Sequence, residues 1–101
     1  MIVYNLSIKI YAAIEAEWVK WQQEEHIPEV MASGCFTEYK FYRLLSQDEE
    51  KGSITFVIQY SCPDMNSYNT YIEKYAPLIR EKAFSKWGNQ FIAFRTVMEA
   101  V

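Results

Sequence analysis

A chain of 101 residues with net charge −3, from 13 acidic and 10 basic side chains, is read as a single domain, 1 to 101, able to bury roughly two thirds of its unfolded surface. No basic stripe could neutralise a run of phosphates, which argues against a nucleic-acid partner. No apolar run approaches the roughly 20 residues that span a bilayer, and residues 1 to 10 alternate rather than forming a leader, so neither a membrane partner nor export is expected. The two cysteines form no C-x-x-C pair, give no zinc signature and fit a reducing, cytoplasmic location.

Residues 2 to 10 put Ile2, Tyr4, Leu6, Ile8 and Ile10 on one face and Val3, Asn5, Ser7 and Lys9 on the other, the alternation of a half-buried strand. Residues 11 to 25 read as a helix. Ile14, Trp18 and Trp21 share its buried face, and Pro28 should kink or stop it near residues 25 to 27 because proline lacks an N–H and clashes with the carbonyl four residues back. Residues 28 to 33 form a second short segment closed by a left-handed Gly34. Residues 36 to 45 make a second strand with both faces partly covered, QDEEKG at 47 to 52 a polar loop, and residues 53 to 60 a third strand with Ile54, Phe56, Ile58 and Tyr60 on one face.

Asp64 caps the second helix, which runs at helical spacing through Met65, Tyr68, Tyr71, Ile72, Tyr75 and Ile79 to Lys86, kinks at Pro77 and stops at Gly88. Residues 91 to 98 form the fourth strand. The βαββαβ order is that of an α+β, ferredoxin-like sandwich, an antiparallel four-stranded sheet with two helices on one face. Six phenylalanines, eight tyrosines and three tryptophans are hard to hide in one small domain, which points to a partner surface or a ring-lined pocket. The helix-free face would carry Val3, Asn5, Ser7, Lys9, Thr55, Val57 and Gln59, a mixture suited to sheet-to-sheet packing in a homodimer.

The lone imidazole, His26 in EEHIP, is the catalytic candidate, because histidine titrates near neutral pH and a helix break can aim it at a cavity. A surface histidine among glutamates is the competing interpretation. Neighbouring Glu24, Glu25 and Glu29 would raise its pKa and the following helix would lower it. Trp18 and Trp21, with Tyr71 and Tyr75 on the second helix, are core stripes or the walls of a small apolar ligand's pocket, with Asn5 or Arg95 as polar guests. No metal-ligand spacing, phosphate loop or nucleophile elbow is present. If the hairpin is symmetric about its loop, residues whose numbers sum to about 97 or 98 face each other, bringing Cys35 close to Cys62, both reduced.

Residues 18 to 36, the YAP of 75 to 77 and FIAFRTVME of 91 to 99 together resemble a family of short uncharacterised bacterial proteins, over essentially the whole chain. That family is similar to the dimeric α+β barrels, among them antibiotic-biosynthesis monooxygenases, haem-degrading monooxygenases, EthD-type proteins and muconolactone isomerase. The resemblance implies sheets paired into a barrel and a ligand cavity between sheet and helices. It leaves three functions open: a cofactor-independent oxygenase or isomerase on a small aromatic or polyketide-like molecule, a haem or small-ligand binder, and a non-catalytic dimerising protein. Haem-degrading members use a first-strand asparagine, a tryptophan and a helical histidine, similar to Asn5, a tryptophan and His26, but their haem-ligating histidine lies on the second helix, where this chain has none. EthD-type members carry a histidine followed closely by proline late in the first helix, as do His26 and Pro28. The cofactor is left unassigned.

Overall fold

The structure, a computed structural model, describes residues 1–46 and 51–101; the loop expected at residues 47 to 52 thus lies mostly outside the described residues. Strand β1 (Ile2–Tyr11) leads through a short 3-10 turn (Ala12–Ile14) into helix α1 (Glu15–Trp21), a π-helical turn (Gln22–His26) and helix α2 (Ile27–Ala32). Strands β2 (Glu38–Arg43) and β3 (Ser53–Cys62) follow, then helices α3 (Met65–Lys74) and α4 (Ala76–Trp87), and strand β4 (Phe91–Glu99). The sheet order is β2-β3-β1-β4, with all neighbours antiparallel. This is the expected ferredoxin-like α+β arrangement.

Alternation decides which face each strand residue takes. Tyr4, Leu6, Ile8 and Ile10 of β1, with Phe56, Ile58 and Tyr60 of β3, are buried beneath the helices. Across the other face run rows of opposed residues, the middle one being Tyr42, Val57, Ser7 and Phe94. Phe94 is 65% and Ile92 57% exposed there. The aromatic load sorts into packed groups: Trp18 against Phe41 and Phe56, and Tyr4, Phe36, Tyr60 and Tyr71 around one another.

The helices differ from expectation in part. The first helix does not begin at residue 11, which ends β1, and the kink or stop expected near residues 25 to 27 is a local widening over Gln22–His26, not a stop. There the Ile27 amide reaches back five residues to the Gln22 carbonyl, so the wide turn absorbs the proline and the helix continues with Pro28 in its first turn. The second helix does not merely kink. It breaks at Tyr75 (φ −117°), so that Pro77 again sits in a first turn, where its missing N–H costs nothing.

Strand β2 is shorter than residues 36 to 45. It is largely exposed as an edge strand, while Phe36 is buried ahead of it. Its partners sum to 99, as in Phe41 opposite Ile58, so Cys35 lies two positions off the residue facing Cys62. Both cysteines are free thiols. Asp64 does cap α3, its carboxylate accepting from the Ser67 amide at 2.9 Å, and this bond holds the acid below its ordinary pKa. Gly34 adopts the left-handed φ of 75° expected of it. Among the described residues no helix is long and apolar enough to cross a membrane.

Candidate functional site

A cavity lies between the sheet and both helical covers. Leu6 and Ile8 of β1 and Phe91 and Ala93 of β4 floor it, while Trp18, Trp21 and Trp87, all three tryptophans of the chain, form much of its wall. Ala83 of α4 and Ala93 of β4 are the small side chains that leave the space unfilled. It encloses about 50 Å³, room for a few waters, each needing at least about 10–15 Å³. Pockets for drug-sized ligands run to roughly 300–1,000 Å³. A bulkier guest would have to displace its rim.

The π turn builds the catalytic candidate into this wall. In an α-helix, residues five apart point about 140° away from each other; in the wider turn Trp21 and His26 come onto one side, ring centroids 4.5 Å apart. Gln22, four residues after Trp18 and bonded through its backbone amide to the Trp18 carbonyl, points inward at the start of this turn and is 2% exposed. His26 is half-buried, and burial lowers its pKa from the ordinary 6.5 to about 4. Glu29 opposes that shift and Arg95 adds to it. Glu29 is itself paired with Lys82 of α4 at 2.6 Å. Burial therefore decides the competition the sequence left open, and the imidazole is neutral at pH 7 rather than poised near it.

The polar atoms of the site divide into deep and peripheral sets. Deep inside, the Gln22 Oε1 and the Trp87 Nε1 are buried without a hydrogen-bond partner; leaving such a group unmatched costs about 1–3 kcal/mol. At the rim, an Arg80 Nη donates to the Tyr4 hydroxyl at 3.0 Å, and Arg95 projects from the inner face of β4, opposite Leu6. Tyr71 is buried beside Tyr4, and burial raises its phenol well above the ordinary value.

Of the site residues expected from sequence, His26, Trp18, Trp21 and Tyr71 meet at this cavity. Two do not join them. Asn5 lies on the opposite, helix-free face, its Oδ1 accepting from the Gln59 Nε2 at 3.2 Å. Tyr75 sits at the break between α3 and α4, 39% exposed and away from the lining. Gln22, Arg80, Trp87 and Tyr4 were not singled out, although Gln22 follows Trp18 at the four-residue spacing of a buried face.

The residues present do not fit a haem. Histidine occurs once in the chain, on the first helical cover, Asn5 faces away, and the cavity volume is far below that of a porphyrin pocket. Among the described residues no group of three or more His, Cys, Asp and Glu could hold a metal ion.

No curated protein matches the sequence. Solved structures share the fold. A variant of SnoaB, a cofactor-independent oxygenase from Streptomyces nogalater, superposes with TM-score 0.69 at 11% identity, covering 98% of this chain and 92% of its own. A variant of MhuD with two manganese protoporphyrin IX bound per active site gives 0.70 at 18%, covering 100% and 95%. A dimeric ferredoxin-like protein from an uncultured marine organism gives 0.67 at 10%, covering 99% and 95%. At such identities the likeness is one of fold alone. A family model matches residues 1–101, and the chain belongs to that family, the domain of unknown function DUF4286.

Proposed function

We propose that the cavity is the site of a cofactor-independent reaction, oxygenation or isomerisation, on a small aromatic or polyketide-like molecule, with His26 handling the proton. The observation that carries this reading is a polar set half-assembled inside an apolar chamber: a neutral imidazole against Trp21, and the buried Gln22 and Trp87 polar atoms without partners. Ring-walled space suits a flat guest.

Neutral His26 accepts a proton from an acidic C–H or O–H of the guest, whose electron pair stays on the guest as an enolate or phenolate. In isolation an imidazole with so low a pKa is a weak base. An anion forming beside it raises its proton affinity, so transfer is coupled to charge formation on the substrate. Return of the proton to another carbon gives isomerisation; reaction of the anion with dioxygen gives oxygenation. His26→Ala should leave folding nearly intact and remove turnover or binding of small aromatic ligands. Equal binding of every such ligand by the variant would show His26 to be a surface residue.

A second reading, a non-catalytic dimerising protein, is favoured by the small volume of the cavity. Both readings include a homodimer packed through the helix-free faces, supported by Phe94 and Ile92 standing exposed in β4 beside Ser7 and Lys9. Val57→Glu, in the middle row of that face, should weaken association by burying an unpaired charge. A monomeric mass for the unmodified protein at micromolar concentration would contradict the dimer.

A further inference from the structure

At the rim of the cavity the charge is one-sided. Arg80 on α4 and Arg95 on β4 both line it, yet the described ion pairs join Arg43 to Glu15 and Lys82 to Glu29, and neither Arg80 nor Arg95 has a carboxylate partner among the described residues. Two guanidiniums concentrated at one opening are unexpected in a chain of net charge −3. Arg95 is the more telling. It shares the inner side of β4 with the half-buried Phe91 and Ala93, opposite Leu6, but is itself exposed, so its guanidinium stands at the mouth of the cavity rather than in the core. The Arg80 bond to Tyr4 adds direction: because that hydroxyl accepts from Arg80, its own proton is free to be donated elsewhere. Tyr68 and Tyr71 feel both arginines as well, each guanidinium opposing the rise of their phenol pKa values.

Taking the cavity to be a ligand site, as proposed above, we infer that its ligand is a small planar organic anion, a conjugated carboxylate or phenolate, whose charged oxygen lies between Arg80 and Arg95 and whose ring or chain, displacing side chains of the rim to make room beyond the 50 Å³ of the free cavity, enters among the tryptophans. The forked guanidinium matches a carboxylate in two parallel hydrogen bonds, and a phenolate oxygen can take one from each arginine. The far end of the guest meets the Gln22 amide and the Trp87 indole N–H. An anion held there also offsets the Arg95 charge that acts on His26.

Since all three tryptophans line the cavity, intrinsic fluorescence reports its occupancy. Benzoate and its neutral isostere benzamide would be titrated into the protein at pH 7 and low salt, with 4-nitrophenolate and 4-nitroanisole as the phenolate arm at about pH 8.5, where the phenol is ionised. Each anion is expected to bind at least tenfold more tightly than its neutral counterpart. Arg95→Gln or Arg80→Gln should erase most of that preference while leaving the neutral probe unchanged, and thermal denaturation would confirm that both variants fold. A preference in only one arm tells carboxylate from phenolate and upholds the inference for that class. Equal binding of anion and neutral probe would overturn the anionic ligand and leave the pocket standing; no binding of any probe would overturn both.

Discussion

The two helical covers meet the same problem, a proline inside a helical run, and solve it differently. In the first, the π turn at Gln22–His26 widens the helix so that it runs on through Pro28. In the second, the chain breaks at Tyr75 and starts afresh at Ala76. The consequences diverge. The wide turn brings Trp21 and His26 together beside the buried Gln22, making part of a site, whereas the break turns Tyr75 out toward solvent and makes only a corner. A proline in a sequence therefore marks where a helix must adjust, and the packing around it determines whether the adjustment is a bulge that arms a pocket or a joint between two helices.

The sharpest contrast between the covers is in their aromatic residues. Trp18, 1% exposed, packs on Phe41 and Phe56, so Trp18→Ala should cost about 3–5 kcal/mol of stability. Tyr75→Ala should cost less than about 1 kcal/mol, since the ring is at the surface. Urea denaturation of the two variants measures both; comparable losses would show that the corner is as closely packed as the π-turn cover.

A smaller effect separates the prolines themselves. Pro28→Ala restores an N–H that lets the turn tighten toward α geometry, loosening the Trp21–His26 contact and moving the His26 pKa up toward 6.5. Pro77→Ala should leave that pKa where it is, because the break lies away from the cavity. The stability change in either variant is expected to stay below about 1 kcal/mol, proline in a first helical turn being nearly neutral. Identical imidazole titrations for both variants would show that the wide turn owes nothing to Pro28.

Most of the architecture was legible because strand alternation and helical spacing leave little choice: a one-residue slip in β1 would expose its whole apolar set. The same rule already placed Asn5 opposite in parity to Tyr4 and Leu6, so its absence from the cavity could have been read directly from the sequence. Tyr75 was harder. It follows Tyr71 by four residues, and only the break before Pro77 takes it off the shared face. The π turn has no periodic signature, since one wide turn shifts the pattern once; Gln22, four residues after Trp18, is in step with the buried face, but a polar side chain there carries no core signal. Arg80 looked like any charged residue on an exposed helix; its bond to Tyr4, 76 positions away, exists only in the folded chain. The β2–β3 register missed by one or two residues because it was set from an assumed symmetric loop rather than from the strands.

The most direct test of the π-turn site is the titration of the His26 imidazole by NMR, without and with benzoate. A folded-state pKa of about 4 against an unfolded value of 6.5 means that the unfolded chain binds more protons between those limits. Stability present at pH 7 should therefore fall, by on the order of 3 kcal/mol, as pH drops from about 6.5 to about 4, and His26→Ala should remove that dependence. The free protein is expected to titrate near pH 4 and the ligand to move that pKa upward. An imidazole that titrates near 6.5 and is indifferent to the ligand would contradict a buried, ligand-facing His26 and return it to the surface.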